Sequence, residues 1–421
     1  MHRREIAEPP RERLGGVLKN ILIASLLLSA VFLADMTGLF GSLLPRFGAG
    51  ETAPLTTTGT GGLTAAARPL FVVVTNADGE RYGAKFDDVA VRAAHDRFGA
   101  SFGDALSLMS EPVQVSEERW RLVLGGESVL FDYLTPQPLE ALSRWLGSGE
   151  GGVPGVMTRR ICLAGEDGNL TLYYIDGSGN FYSCAVGELV SISQRIGEFS
   201  PNGTRFAYEA GEIFAALDPY AIVSVTPPYI SGISVSNPLP GEAEILKRFD
   251  INELLVNQYT DLGTRVFVEN DGTTLRVESR GVVLFATGAR TPPSDQPRLP
   301  EVIDIANSLV QDSIGVSCGI ARVELAHTLK GDVANEYELL FRYVIGGLPV
   351  TFPDGGYAAR VRVRDGVIVS AMLHYREYRP TGESRALPRE NAAAAAAKNE
   401  QLLTYIDSGE TVDPAWINVF A

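Results

Sequence analysis

The most specific catalytic pattern in the chain is a G-x-S-x-G motif at residues 315–319. In hydrolases such a serine sits on a sharp turn between a strand and a following helix, with a histidine and an acid as partners. His327 and Asp332 do follow, but apolar spacing predicts a helix before Ser317 and a strand after it. The order of elements is inverted. We therefore expect Ser317 at a helix-to-strand junction, and we expect that the protein is not an enzyme.

The sequence lacks the residue patterns that metal and cofactor sites need. Beyond the leader the histidines are His95, His327 and His374, and none lies at ligand spacing from another His or Cys. A stretch that begins like a calcium loop at Asp176 has Phe181 where the loop requires glycine. The sequence therefore predicts no metal site and no cofactor.

The chain has three cysteines, Cys162, Cys184 and Cys318. This number is small and odd, which does not fit a disulfide framework. Cys162 and Cys184 flank a predicted strand meander, so they could pair if their strands were neighbours. Each could equally be a small buried residue of a core. The folded units must be held mainly by packing.

An uncharged apolar segment, residues 21–34, follows a leader rich in arginine. Extended to residues 17–44 it reaches the ~20 residues that span a bilayer core, with Asp35 as an interruption. Lys and Arg are in excess before the segment and only Arg46 follows soon after, which predicts a cytoplasmic N-terminus and an extracytoplasmic bulk. We expect a single-pass protein of the cell membrane. The alternative is a cleaved signal peptide, although Phe32 precedes Ala34 at the spacing where cleavage requires a small residue.

Within this anchor, small and polar residues share one helical stripe at three- and four-residue spacing. The stripe consists of Ala24, Ser25, Leu28, Phe32 and Asp35. Such residues allow two membrane helices to approach closely, so they are the candidate contacts to a partner helix. The alternative is that they only dilute an apolar span.

The composition bounds the class of protein. The chain has 421 residues, 45% of them hydrophobic, and a formal net charge of −15. The first 20 residues are more basic than acidic, so the remainder is more acidic still. Nucleic acid is excluded as a partner by this charge.

The pattern of elements predicts an α+β protein, in which a single transmembrane helix precedes two to three α+β domains with antiparallel sheets flanked by helices. The predicted order is a cytoplasmic leader, an anchor, a flexible Gly/Thr/Ala linker and three domains. These six segments are residues 1–16, 17–44, 45–68, 69–152, 153–290 and 299–421.

Apolar spacing places the longer helices of these domains. We expect helices at residues 87–109, 243–259, 301–314 and 388–403, and a hairpin at 119–134 around Gly125 and Gly126. Residues 243–287 show a shorter version of the helix-then-strands order of the last domain, which suggests an internal repeat.

The last domain carries motifs seen together in one family. Residues 341–350 (FRYVIGGLPV) and 361–368 (VRVRDGVI) are followed by Tyr375, an alanine run at 392–397 and Pro-Ala-Trp at 414–416. Together these resemble the C-terminal domain of the YycH regulatory proteins, and this domain is also similar to PepSY-like domains. Residues 266–285 resemble the preceding domain of that family, and the anchor resembles its N-terminal helix. Residues 69–152 carry no matching motif.

The resemblance implies a regulator that sits beside a cell-wall-sensing histidine kinase of Gram-positive bacteria, often with a companion membrane protein of the YycI type. Its partners would then be the sensor kinase and this YycI-like companion, reached through the membrane helix and the extracytoplasmic region. The alternative is an exported PepSY-like or wall-polymer binding module that is only tethered to the membrane.

Overall fold

Antiparallel strand pairing organises the computed structural model of the chain. The structure describes residues 67–147, 153–166, 168–186, 192–215, 217–223, 229–287, 297–386 and 401–418. All of them belong to one folded unit, residues 61–421.

The first sheet has seven strands in the described ranges, in the order β2-β1-β4-β5-β6-β7-β3. The strands are β1 Phe71–Thr75, β2 Arg81–Ala84, β3 Val113–Val115, β4 Ser128–Pro138, β5 Met157–Glu166, β6 Asn169–Asp176 and β7 Phe181–Val186. The helices of this region are α1 Asp88–Leu108, α2 Glu117–Leu124, α3 Leu139–Trp145, α4 Ser193–Ile196 and α5 Ala207–Ala210.

Both faces of the first sheet are covered. On one face, α1 buries Phe98 and Phe102 against the sheet, and Phe102 stacks on Phe131 of β4. On the other face, Trp120 of α2 packs with Tyr220 and Phe206. The latter two belong to a segment that contains a small ladder between β8 (Arg205–Phe206) and β9 (Ile222–Val223). The strands between these layers are accordingly buried on both sides.

The second sheet has thirteen strands among the described residues. They are β10 Tyr229–Ser236, β11 Asn257–Asp261, β12 Thr264–Val268, β13 Thr274–Val277, β14 Val282–Ala286, β15 Arg322–Lys330, β16 Glu336–Ile345, β17 Leu348–Thr351, β18 Ala359–Arg364, β19 Val367–His374, β20 Glu377–Ala386, β21 Gln401–Asp407 and β22 Val412–Asn418. Two helices accompany it, α6 Glu242–Arg248 and α7 Leu299–Ser313.

The second sheet contains two units of the same order, a helix followed by four antiparallel strands. One is α6 with β11 to β14, and the other is α7 with β15, β16, β18 and β19. Their last strands, β14 and β19, pair antiparallel, which relates the units by an approximate two-fold axis through the sheet. The helix-then-strands order suggested by the sequence is thus confirmed in the structure.

Strand pairing crosses both of the predicted domain boundaries. β4 pairs with β5 across residue 152, so the segment 69–152 does not end at a domain edge. β14 pairs with β19 across residues 290–299, so the segments 153–290 and 299–421 share one sheet. The two boundaries are predicted from a Gly-rich and a Pro-rich connection in the sequence. The elements on either side of such a connection can still pair with each other.

Three predicted elements need correction. Residues 117–124 form α2 instead of the first strand of a hairpin, because Ser116 caps a helix whose Trp120, Val123 and Leu124 share a buried side. The helix expected at 243–259 ends at Arg248, and strand β11 follows. Residues 401–403, expected in a helix, begin β21 and pair with β22. The rest of that predicted helix lies outside the described residues.

The helices expected at 87–109 and 301–314 are confirmed as α1 and α7. Helix α1 begins where the Asp87 carboxylate accepts hydrogen bonds from the amides of Val89 and Ala90.

Candidate interaction surfaces

The side of the second sheet away from α6 and α7 is here called the outer face. One cross-strand row runs along it through eight strands, as the registers of neighbouring strands show. The row is Tyr259, Val266, Arg276, Leu284, Met372, Arg360, Leu340 and His327. Leu284 and Met372, at its centre, are half-buried, whereas Val266 and Leu340 of the same row are buried.

Arginines run along the interior strand β18 on the outer face. In β18 the residues alternate between buried valines and the exposed Arg360, Arg362 and Arg364. Arg364 donates from Nε to Glu336 at 2.7 Å, whereas the ion pairs of Arg362 and Arg360 with β16 are longer, 3.5 to 3.7 Å. Because these contacts are long and both arginine side chains are about half exposed, the guanidinium groups are available for a partner. The face is thus a mixed aliphatic and basic surface on an acidic protein.

The two sheets meet through a cluster of buried charges. Arg322 of β15 donates hydrogen bonds to both Asp88 of α1 and Glu324. Burial raises the pKa of Glu324, and the neighbouring Arg322 charge opposes this rise. The side chains of Thr135 and Gln137 also donate to the Leu325 carbonyl, at 3.2 and 3.1 Å. These contacts fix the first sheet against the strand β15 of the second.

A cleft of about 180 Å³ lies between the sheets, beside Phe86, Ile230, Ile345 and Tyr405. Pockets that enclose drug-sized ligands have ~300 to 1,000 Å³. The Tyr405 hydroxyl donates to the Ser231 carbonyl at 3.0 Å and is therefore already used. An extended surface is a better candidate for recognition than this cleft.

Inside the first sheet, a carboxylate with no exposed surface joins two arginines. Asp132 accepts hydrogen bonds from Arg159 at 2.9 Å and from Arg160, and Arg160 also donates to Asp218. Burial opposes ionisation of Asp218, but the Arg160 and Arg159 charges outweigh it and lower the pKa of this carboxyl. Both arginines and both carboxylates are paired within the network, so we assign it a structural role.

Ser317 lies where the sequence places it. Helix α7 precedes it, a short 3₁₀ turn at Gly315–Ser317 contains it, and β15 follows, so the prediction of a helix-to-strand junction is confirmed. The Ser317 hydroxyl is buried without a hydrogen-bond partner in the described chain. His327, the histidine that follows the motif, packs its ring on Tyr357 on the outer face.

The cysteines are free and buried. Cys162 is in register with Tyr173 and Tyr173 with Ser183, so Cys184 is one residue out of line and faces the opposite side of the sheet. The possible pairing of Cys162 with Cys184 is therefore wrong. Burial raises the pKa of the Cys184 and Cys318 thiols to about 11, which leaves them protonated at neutral pH. Among the described residues, His, Cys, Asp and Glu form no cluster of three that could hold a metal.

The candidate contacts to a partner helix, Ala24, Ser25, Leu28, Phe32 and Asp35, lie outside the described residues. Within the part that the structure describes, no helix is both long and apolar enough to span a membrane.

The outer face has a partial signal in the sequence. Arginine and valine alternate at residues 360–364, a period of two that is typical of a strand with one solvated face. Arg276 and Leu284 carry no comparable signal, because strand pairing alone brings them into the same row.

Comparison with known proteins gives a likeness of fold. The structure is similar to the crystal structure of YycH from Bacillus subtilis, with a TM-score of 0.55, 13% sequence identity, and coverage of 84% of this chain and 94% of that chain. No protein-family model matches the sequence, and no curated protein matches it. The chain therefore has a YycH-like fold.

Proposed function

We propose that the protein is a membrane-anchored extracytoplasmic regulator that modulates a cell-wall-sensing histidine kinase by direct contact. The observation that carries the proposal is the YycH-like fold over 84% of the chain, because YycH is a regulator of a two-component kinase. The basic leader and apolar run at residues 21–34 support the anchor, with the N-terminus in the cytoplasm and the bulk outside. A YycI-like membrane protein is the proposed companion, and the C-terminal region is proposed to be PepSY-like.

Two surfaces are available for contact with the kinase or the companion. In the membrane, the stripe of Ala24, Ser25, Leu28, Phe32 and Asp35 offers small and polar groups to a partner helix. Outside, the outer face offers half-buried aliphatic side chains beside the arginines of β18, which suits a partner surface with apolar and acidic groups. In this proposal no residue of the protein is catalytic.

The experiment is co-purification of the kinase with the tagged full chain from membranes, together with a signalling assay. Two double variants separate the surfaces. Ala24→Leu with Ser25→Leu fills the helix stripe, and Arg360→Ala with Arg362→Ala removes charge from the outer face. Arg379→Ala is the matched control, since Arg379 is an exposed arginine in β20 paired with a neighbouring glutamate.

Loss of kinase recovery in the helix variant, at unchanged protein level, would place the main contact in the membrane. Loss in the Arg360 and Arg362 variant, but not in the Arg379 control, would place it on the outer face. A wild-type chain that recovers no kinase and whose deletion leaves signalling unchanged would refute the proposal.

A tethered binding module is the second candidate, because the exposed arginines of β18 could also bind an anionic wall polymer. Exchange of residues 17–44 for an unrelated anchor separates the two. A tethered binder retains its activity after the exchange, whereas a regulator that acts through its helix loses it.

A further inference from the structure

The edge strand β11 is open and bordered by exposed apolar side chains. All five of its residues are exposed, and in the described chain it pairs only with β12. Leu254 and Leu255, in the turn before β11, are 92% and 65% exposed, and Leu262, in the turn after it, is 101% exposed. Isolated exposed leucines are ordinary, but exposed leucines at both ends of one open edge strand favour burial of that edge by a partner.

Leu262 is an unfavourable choice for its own turn. It occupies the first position of a two-residue hairpin loop with a φ of +46°, followed by Gly263 at +85°. Asn, Asp and Gly are the residues that adopt this conformation readily, and each is also better solvated than leucine. A leucine that is unfavourable in both respects is explained if it is buried by contact with another molecule.

The backbone of β11 presents a defined set of free groups. Residues that flank a two-residue loop form a hydrogen-bonded pair, here Asp261 with Thr264, and the pattern alternates along the strand. Tyr259 therefore directs its peptide groups at β12. Gln258 and Thr260 direct their N–H and C=O groups at the open edge.

This pattern is self-complementary, and we propose that β11 pairs antiparallel with β11 of a second copy of the chain. With Tyr259 opposite Tyr259, Gln258 of each copy forms a hydrogen-bonded pair with Thr260 of the other, which gives four backbone hydrogen bonds. Because the strands run in opposite directions, the leucines before one strand lie beside Leu262 at the end of the other.

Charge also favours a second copy. The only charged residue of β11 is Asp261, and in this register it lies opposite the Asn257 amide of the other copy. No like charges face each other across the pair, although the chain has a net charge of −15.

Three other strand edges among the described residues are protected in ways that β11 is not. The edge of β2 is covered by Asn202, β20 contains Pro380 and a register shift, and β3 has only three residues. Strand β11 has neither proline nor lysine, and its pairing with β12 shows no register shift. These features suit the β11 edge to edge-to-edge pairing.

The test is disulfide trapping of the full chain in cells, followed by sizing of the purified protein. Tyr259→Cys places a thiol at the centre of the two-fold, where the side chains of a non-hydrogen-bonded pair are closest. Mild oxidation should convert it to a species of twice the chain mass on a non-reducing gel. Leu122→Cys is the matched control, since Leu122 is an exposed leucine of α2 far along the chain. The native cysteines are buried and give little background.

Leu262→Asn separates the interface from folding. Asparagine suits the turn better than leucine, so thermal stability of the monomer should be kept or raised, while the dimer dissociation constant rises by at least about tenfold. The result that overturns the proposal is a Tyr259→Cys chain that cross-links no more than the Leu122→Cys control, or that cross-links to a protein of different mass. An unchanged dimer in Leu262→Asn would equally reject the edge as its interface.

Discussion

The two sheets of this molecule differ in how much of their surface they bury within the chain. The first sheet has α1 on one face and α2 with the 205–223 segment on the other. Among the described residues, the second sheet has α6 and α7 on one face only, its outer face keeps exposed and half-buried side chains, and its β11 edge is open. A sheet covered on both faces is fixed by its own core, whereas a half-covered sheet offers residues for contact. The comparison assigns stability to the first sheet and recognition to the second.

The edges show the same difference in detail. Asn202 acts as a substitute strand for β2, because its amide accepts from the Gly83 N–H at 3.0 Å and donates to the Gly83 carbonyl at 2.9 Å. Gly83 is required there, since a Cβ would lie 2.5 Å from the Thr204 side chain. No such side chain of the described residues reaches the open edge of β11.

The largest predicted effect tests the ionic core of the first sheet. Asp132→Ala leaves Arg159 and Arg160 with one carboxylate fewer in a buried site, so unfolding free energy should fall by about 3 to 5 kcal/mol. Glu244→Ala, which breaks the exposed pair with Arg248 beside the second sheet, should cost about 0.3 to 0.5 kcal/mol. Chemical denaturation of both variants provides the measurement. Equal losses would contradict the assignment of stability to the first sheet.

A smaller effect is expected at the covered edge. Asn202→Ala removes two hydrogen bonds to Gly83 and opens β2, which should cost about 1 to 3 kcal/mol and increase aggregation on heating. Asn202→Asp retains the acceptor and loses the donor, so its stability should fall between those of Asn202→Ala and wild type. Thermal unfolding with light scattering measures both quantities. If opening β2 had no effect, edge protection would not distinguish the two sheets.

A pH-dependent effect is expected inside the covered face. His95 is a residue of α1, and its ring stacks on Phe131 of β4. Burial lowers the pKa of His95, although Asp96 partly opposes this. The unfolded chain therefore binds a proton at about pH 6.5 that the folded chain does not, and stability falls as pH decreases below that value. As pH decreases, the unfolding free energy of wild type should fall relative to that of His95→Gln by no more than about 1.4 kcal/mol per pH unit. A difference that stays constant from pH 7.5 to 5 would contradict this.

The smallest effect concerns Ser317, at the junction beside the second sheet. Its hydroxyl is buried without a partner in the described chain, so Ser317→Ala loses no hydrogen bond and should leave the unfolding free energy unchanged or raise it by up to about 1 kcal/mol. Signalling should be unchanged, and a serine-reactive phosphonate should not label the wild-type protein. A covalent adduct on Ser317 would show that the second sheet carries chemistry as well as contacts.

Elements with complete local signals could be predicted from the sequence. Helix α1 has the Asp87 cap and a regular apolar stripe, and β5, β6 and β7 are separated by glycine-rich turns. Helix α2 was missed because its apolar residues also fit an alternating pattern beside Gly125 and Gly126, and eight residues are too few to separate the two periods. The helix predicted past Arg248 was too long because Asp250 adopts a φ of +57°, which ends it.

By itself, the sequence determined the α+β class, most of the strands, the helix-to-strand context of Ser317 and the repeated order of helix and strands. These depend on side-chain period and turn residues, which act over a few neighbouring positions. Only the tertiary structure decided that strands on both sides of residues 152 and 290 share sheets, that Cys162 and Cys184 face opposite sides, and that β11 is an open edge. Pairing partners and edges depend on contacts between residues far apart in the chain, and no local pattern encodes which strand lies beside which.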